Sequence, residues 1–265
     1  MRTLILICFS LCLSGQEDLV VSKEKVRASL KQMQAKAKQK ENYLFQRRLT
    51  KRELTAEGKV RSETVSILRR DPWEEQVVTR LIEKDGKALT AEETTKQEEK
   101  LRRSVIEMRK TPMKPRFEEE TWMDEMPDAL EFRRVGVENR HGRPADVISF
   151  VPQKGYKAKS MRAKAFEKIR GKVWVDQQDG EMTLLDIEVF DTISVGFGLL
   201  GKLEKGTHFE MERKKWETGV WFEVWQRIRY DLRVMMVKSL RQEIETHWSN
   251  LSQRPPAKII RSGFD

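Results

Sequence analysis

Alternation of apolar and polar residues marks much of the second half of the chain as β-sheet. The run from Ile228 to Val234 is the clearest case, because apolar residues occupy every second position and charged residues lie between them. Such alternation is typical of a strand with one buried and one solvated face. Asp179-Gly180 predicts a tight hairpin between two apolar runs, since glycine accepts the positive φ of the turn. Residues 171–250 are therefore predicted to form a broad antiparallel sheet with one apolar side.

The pattern changes near the N-terminus, where residues 19–40 predict a helix capped by Ser22. Its narrow apolar stripe consists of Val26, Leu30 and Met33, and much of the remainder is basic. In one interpretation the stripe packs on the sheet. In the other, the basic side contacts anionic lipid headgroups, although the aromatic anchors of interfacial helices are missing.

A second antiparallel meander of about three strands is predicted over residues 43–84, broken at Asp71-Pro72-Trp73 and ending at the turn Asp85-Gly86. Thr90 and Glu93 then form a capping box for a mostly polar helix that continues to about Lys110. Any docking surface of this helix is expected among the apolar residues near its C-terminal end.

The remaining segments connect these elements. Residues 112–128, which contain prolines and an acidic run, are either a surface connector or a lid over a cavity. Two further strands flank a turn at 139–144, and a short helix is predicted within 160–169. The last strand is expected to extend to Leu240, and residues 241–248 fit either a strand or a helix.

The first residues predict export. A positive start, an apolar core over residues 3–13 and the small pair Ser14-Gly15 have the layout of a secretory signal peptide, with cleavage expected after Gly15. An uncleaved anchor is the alternative, but the apolar run is short for a bilayer. Both cysteines, Cys8 and Cys12, lie inside this segment, so the mature chain is predicted to have neither disulfides nor reactive thiols. An exported protein of this kind suits the bacterial periplasm.

Several functional classes are disfavoured by what the sequence lacks. The 52 basic residues are interleaved with 42 acidic ones, so no basic face predicts nucleic-acid binding. His141, His208 and His247 lie far apart in sequence, and we therefore predict no metal site. The chain has no Gly-x-Ser-x-Gly elbow, and its many carboxylates nominate no acid–base pair. We predict a protein that is not an enzyme and needs no cofactor.

One glycine pattern is shared with nucleotide-binding proteins. Gly196, Gly198 and Gly201 match the spacing of a dinucleotide-binding loop. That loop needs a helix directly after it, whereas a predicted strand follows at Phe209. A flexible apolar loop at the mouth of a barrel is the preferred interpretation.

The order of these elements resembles the LolA-like and RseB-like superfamily of periplasmic lipoprotein carriers, and within it exported bacterial proteins described as outer-membrane lipoprotein-sorting-like. The resemblance is carried by the strand 171–176 with its Asp179-Gly180 turn, by the loop 198–203 and, less strongly, by residues 85–90. It implies an α+β fold, an antiparallel half-closed β-barrel capped by helices. The expected organisation is a signal peptide at 1–15, a single LolA-like half-barrel domain at 16–250 and a flexible tail at 251–265.

The resemblance also implies a function: binding of a lipid or a lipoprotein acyl chain in an apolar cavity, without catalysis. The alternative is an envelope sensor or interaction protein that binds a protein partner through the same sheet. The candidate lining residues are Phe197, Leu199, Leu200, Phe209, Met211, Trp221, Phe222 and Trp225. Because Trp221 and Phe222 are adjacent in a strand, at most one of them faces the cavity. An ordinary filled core remains the alternative for each of these residues.

Overall fold

The computed structural model describes residues 19–37, 42–73, 76–110, 124–195, 201–234 and 238–254. Within these ranges all the strands belong to one antiparallel sheet. The strands are β1 (Leu19–Val20), β2 (Tyr43–Leu54), β3 (Val60–Trp73), β4 (Gln76–Lys84), β5 (Lys87–Ala88), β6 (Leu130–Arg140), β7 (Arg143–Pro152), β8 (Ile169–Asp176), β9 (Met182–Val189), β10 (Ile193–Val195), β11 (Gly201–Leu203), β12 (His208–Lys215), β13 (Trp221–Val234) and β14 (Lys238–Gln253). The helices are α1 (Lys23–Ala37), α2 (Ala91–Lys110), α3 (Met126–Ala129) and a 3₁₀ helix at Ala163–Lys168.

The strand order is not the chain order. It runs β1-β6-β7-β8-β9-β12-β13-β14-β2-β3-β4-β5, and the short β10–β11 ribbon attaches to β13. The N-terminal meander β2–β4 therefore lies beside the last strand, β14. Strands β1 and β5 stand at the two ends of this order, so among the described residues the sheet is not closed into a barrel. The predicted α+β class is confirmed, and the large antiparallel sheet with a few helices is consistent with the half-closed barrel that was expected.

The sheet divides into two parts with different interiors. We call β1, β6–β9 and β12 the cavity half, and β13, β14 and β2–β5 the ladder half. The cavity half contains the main apolar core, against which Val26 of α1 packs. Its buried members are Ala129, Leu130, Phe132, Phe150, Ala163 and Phe166. In the ladder half, the buried side chains are the apolar Val78, Trp221 and Phe222 together with the polar Thr50, Gln242 and Thr246. The cavity half also buries polar side chains, among them Asp176, Thr183 and Arg213.

Several turns and caps predicted from short sequence motifs are present in the structure. Asp85 and Gly86 take φ values of 51° and 77°, the two positive angles of the turn that they were predicted to form. The predicted capping box is present: the Thr90 N–H donates to Glu93 Oε2 at 2.9 Å, and the Glu93 N–H donates to Thr90 Oγ1 at 3.2 Å. Ser22 Oγ accepts from the N–H of Lys25 at 3.3 Å, which places the start of α1 as predicted.

The structure corrects three boundaries. Leu19 and Val20, which the predicted helical segment 19–40 included, pair with β6 as a strand, so the helix begins at Lys23 directly after its cap. Strand β3 runs through Asp71-Pro72-Trp73 instead of breaking there. The paired residues of β2 end opposite Arg70, so only β4 lies beside Pro72, and its missing N–H breaks no ladder there.

The third correction concerns the C-terminal end of the sheet. The predicted extension of the strand β13 to Leu240 is wrong, because Lys238 and the residues after it belong to a separate strand, β14. β14 returns antiparallel to β13, and residues 241–248, whose periodicity was ambiguous, are strand. β14 continues to Gln253, so the sheet takes in the first residues of the segment expected to be a tail.

Candidate functional site

A cavity of about 450 Å³ lies between helix α1 and the cavity half of the sheet. Its volume falls within the usual range of sites for small ligands, which are concave and mostly apolar. The apolar side chains of its wall come from α1 and Val21 just before it, from α3, from the 3₁₀ helix and from five strands. They are those of Val21, Val26, Leu30, Met126, Leu130, Phe132, Ile148, Phe150, Ala165, Phe166, Ile169, Val173, Val175, Met182, Leu185, Ile187 and Met211.

The pleat of the strands explains why these residues face the cavity. Successive side chains in a strand point to opposite faces of the sheet, so alternate residues line one side. Val173 and Val175 of β8 line the cavity, as do Leu185 and Ile187 of β9. Between these last two lies Asp186, which belongs to the opposite, charged face.

Helix α1 forms one wall of the cavity and is fixed at its start. The Val21 N–H donates to the carbonyl of Phe132 at 2.9 Å. Arg27 pairs with Asp128 of α3 at 2.8 Å, and Lys23 reaches the same carboxylate at 3.2 Å. The hydrogen bond from Arg27, followed by that from Lys23, lowers the pKa of Asp128. The stripe of α1 thus packs inward, as the first interpretation of this helix expected, and the side chain of Met33 lies outside the described residues.

A second polar cluster holds the segment that carries the 3₁₀ helix. Glu125 accepts from the Tyr156 hydroxyl at 2.6 Å, from the Lys159 N–H at 2.9 Å and from the Ser160 hydroxyl at 3.1 Å. These bonds, that from Tyr156 first, lower the pKa of Glu125. Burial, followed by the hydrogen bond to Glu125, raises the pKa of Tyr156. The cluster positions Phe166 and Ala165 against the cavity.

The cavity has a polar end at the β8–β9 hairpin, where Glu181 and Arg213 line it. Asp176 fixes this hairpin: it accepts from Arg143 at 2.6 and 2.7 Å and from the backbone N–H of Asp179 at 2.7 Å. The Arg143 hydrogen bond is the main cause of the lowered pKa of Asp176. The turn held in this way presents Glu181 to Arg213, whose Nη1 donates to Glu181 Oε2 at 3.1 Å.

The structure places the predicted lining residues in different surroundings. Met211 lines the cavity. Phe209, two residues earlier in β12, is half-buried opposite Ile187. Trp221 is buried and donates from its indole N–H to Asp179 at 3.0 Å.

The two remaining described aromatic residues have partners elsewhere. The ring of Phe222 lies 5.5 Å from that of Phe45 in β2. The Trp225 indole N–H donates to Glu245 at 3.0 Å. Phe197, Leu199 and Leu200 lie outside the described residues.

The predicted lining residues all lie within 197–225, and most of the cavity wall comes from earlier residues. Leu30 of α1 and the alternate residues of β8 and β9 supply much of it. The available signals were the apolar stripe of α1 and the apolar residues of β9, but nothing local indicated that the two elements enclose a space.

One cluster on the opposite face resembles a metal site in composition. Asp186, His208 and Glu210 bring ligand atoms within 4.8 Å of one another. His208 Nε2 lies 2.6 Å from Asp186 Oδ1, and Glu210 is also paired with Arg227, whose Nε is 2.8 Å from it. Because Arg227 already neutralises Glu210, the arrangement fits an ion-pair network on the sheet surface. The prediction of no metal site, made from histidine spacing alone, did not consider these carboxylates.

The chain is thus an open antiparallel sheet with an apolar chamber beneath an N-terminal helix. Among solved structures it is similar to an outer membrane lipoprotein-sorting protein domain from Vibrio parahaemolyticus, with 10% identity over 92% of this chain and 95% of that one, at a TM-score of 0.36. It is also similar to a DUF1329 family protein from Desulfovibrio piger, with 13% identity over 92% and 98% of the two chains, at a TM-score of 0.32.

A third similar structure is that of MucB in complex with MucA(peri), with 9% identity over 86% of this chain and 99% of that one, at a TM-score of 0.23. The TM-scores correspond to loose superpositions. No family model matches the chain, and no curated protein sequence matches it. None of the helices in the described part of the chain has the length and apolar character needed to cross a membrane.

Proposed function

We propose that this is an exported periplasmic protein, folded as a single half-barrel domain over residues 16–250, that binds the acyl chain of a lipid or lipoprotein without catalysis. The observation that carries the proposal is the apolar cavity of about 450 Å³ between α1 and the cavity half. An acyl chain gains about 0.8 kcal/mol for each methylene that it buries. Such a ligand therefore fits a deep apolar chamber better than a polar metabolite does.

The placement of α1 supports entry of a ligand. The helix contributes Val26 and Leu30 to the wall, yet polar contacts such as the pair between Arg27 and Asp128 hold its start. Both partners of this pair are substantially exposed, at 42% and 40%. Exposed pairs of this kind typically contribute at most about 1 kcal/mol, so a movement of the helix costs little at this point.

The first test is a native mass spectrum of the protein, expressed with residues 1–15 and purified gently. We expect the mature mass together with an additional mass that is lost on denaturation and extracts as lipid. A bare mass, with no uptake of added phospholipid or fatty acid, would overturn the proposal. It would instead favour the alternative of a protein partner bound through the sheet.

A matched pair of variants tests the location of the ligand. Val173 lines the cavity, whereas Val151 is 46% exposed at the end of β7. Val173→Trp fills the chamber and is expected to weaken lipid uptake at least about tenfold, while Val151→Trp leaves it unchanged. Thermal unfolding of both variants verifies that they fold. Equal uptake by the two variants would show that the ligand binds elsewhere.

A further inference from the structure

The polar end of the cavity contains a buried donor that is not satisfied. The side chains of Arg213 and Glu181 are only 6% and 5% exposed, and both residues line the cavity. Arg213 Nη1 donates to Glu181, and Nη2 donates to the carbonyl of Trp221 at 2.9 Å. The N–H of the third guanidinium nitrogen, Nε, is buried without a hydrogen-bond partner among the residues that the structure describes.

Buried N–H groups are nearly always hydrogen-bonded. We therefore expect a ligand of this cavity to supply the acceptor for the Arg213 Nε–H. The surrounding wall is apolar, with Val175, Met182 and Met211 lining the same cavity. A ligand that enters with an oxygen acceptor at one end of its apolar chain would satisfy the donor.

The charges at this end decide which acceptor fits. Glu181 neutralises Arg213 within the cavity wall. Asp146, which also lines the cavity, is paired with Arg134 at 2.9 Å. Behind the wall, Asp176 and Asp179 are balanced by Arg143 and by Lys215, which lies 3.0 Å from Asp179.

The polar end is thus close to electrically neutral, and it already contains the Glu181 carboxylate. A free fatty-acid carboxylate would bring a second negative charge beside Glu181 in a site shielded from water. Like charges at such a site disfavour the ionised form. A carbonyl oxygen of an ester or amide accepts the same hydrogen bond without adding charge.

We propose that the Arg213–Glu181 pair makes the cavity selective for chains that end in an uncharged acyl carbonyl, an ester or an amide, over free fatty acids. The inference rests on the proposed function, because it specifies the ligand of the same cavity. Arg213 would supply the hydrogen bond, and Glu181 would reject the free carboxylate.

The test is competition for the cavity by two ligands of equal chain length, dodecanoic acid and methyl dodecanoate. Each is titrated at a pH where the acid is ionised, against the uncharged fluorophore N-phenyl-1-naphthylamine bound to the full mature protein. We expect the ester to displace the fluorophore at a concentration about tenfold lower than the acid does. Equal displacement, or a preference for the acid, would overturn the inference.

Two variants assign the selectivity to its residues. In Glu181→Gln the charge of Arg213 is no longer balanced, so the preference should shift towards the acid. In Arg213→Met the ester should lose its advantage while the fluorophore still binds. A Glu181→Gln variant that folds and keeps the wild-type preference would contradict the role of Glu181.

The outcomes separate this inference from the proposed function. If neither ligand nor the fluorophore binds the wild-type protein, the proposal of a carrier fails. If all three bind but acid and ester are equivalent, the carrier stands and the selectivity fails. Should Glu181→Gln not fold, the wild-type comparison of acid with ester still decides the inference.

Discussion

The cavity half and the ladder half of the sheet are built from the same kind of strand but are held together differently. In the cavity half, Phe132 and Phe150 pack within the apolar core, with ring centroids 6.0 Å apart, under α1 and α3. In the ladder half, Arg52 of β2 binds Glu63 of β3 at 2.7 Å and Glu243 of β14 at 2.8 Å. Apolar burial responds weakly to salt, whereas ion pairs between partly exposed groups are screened by it.

This difference also locates the ligand chamber. A cavity stays apolar where its wall carries few polar side chains. The wall in the cavity half is apolar over most of its extent. On the opposite face, strands of both halves carry charged ladders. Arg227 of β13, for example, pairs with Glu210 of β12. One face of the sheet can therefore bind an apolar chain, while the other carries ion pairs of this kind.

The largest effect is expected from a truncation in the core of the cavity half. Phe150 is 5% exposed, so Phe150→Ala should lower the free energy of unfolding by about 3–5 kcal/mol. The matched substitution in the ladder half is Phe45→Ala. Phe45 is only half-buried, and we expect roughly half of that loss or less. Urea unfolding of both variants provides the measurement. Equal losses would mean that the two halves do not differ in apolar packing.

A smaller effect is expected from removing the centre of the ladder. Arg52→Met leaves the carboxylates of Glu63, Glu243 and Glu245 without their common partner. We expect a loss of about 1–2 kcal/mol at low salt that decreases as salt is added, because the remaining like charges are screened. The control is Arg69→Met, since Arg69 is about half exposed and pairs with Asp71 alone among the described contacts. A loss for Arg52→Met that is independent of salt would indicate lost packing instead.

The next effect is a change in the free energy of unfolding at acid pH. The Trp225 indole N–H, followed by Arg52 and His247, lowers the pKa of Glu245 from 4.5 to about 2. A depressed folded-state pKa stabilises the protein above the unfolded value, and that contribution disappears as pH falls from about 4.5 to about 2. Glu245→Gln should therefore cost about 1 kcal/mol near neutral pH and progressively less through this window. Urea unfolding of both proteins at successive pH values measures it, and a constant difference would contradict the assignment.

Much of the fold was predictable because its signals are local. Strand alternation, the Asp85-Gly86 turn and the Thr90–Glu93 capping box all act over a few residues, and each appears as predicted. The strand order was not predictable in this way. Nothing in residues 43–54 indicates that β2 pairs with β14 at the far end of the chain, and that pairing separates the ladder half from the cavity half.

The candidate site was harder to predict, because its wall combines distant segments. Val26, Phe166 and Ile187 each look like ordinary core residues in sequence, and only the topology gathers them around one space. The aromatic residues of β13 were the more conspicuous choice. Two of them, Trp221 and Trp225, instead donate hydrogen bonds from their indoles to Asp179 and Glu245.

The smallest effect is expected at the edge of the ladder half, where Gln97 binds the backbone of β4. Gln97 of α2 accepts from the Leu81 N–H at 2.7 Å and donates to the Leu81 carbonyl at 2.9 Å. Its amide takes the place of a neighbouring strand, which protects an edge that would otherwise pair with other chains. Helix α2 therefore contacts the sheet through a polar residue, whereas its apolar C-terminal end was the expected surface. Ile106 in that end is 49% exposed.

Gln97→Ala should leave global stability within about 1 kcal/mol of wild type, because only an exposed-edge contact is lost. The backbone amide of Leu81 should nevertheless exchange its hydrogen at least about tenfold faster, since its acceptor is gone. Lys100→Ala, an exposed position on the same helix, is the control and should leave that exchange unchanged. Native-state hydrogen exchange of Leu81 distinguishes the two variants. If Gln97→Ala left the exchange as slow as in wild type, the edge would have to be protected by the β4 ladder itself, and the helix would lie over the ladder half without holding it.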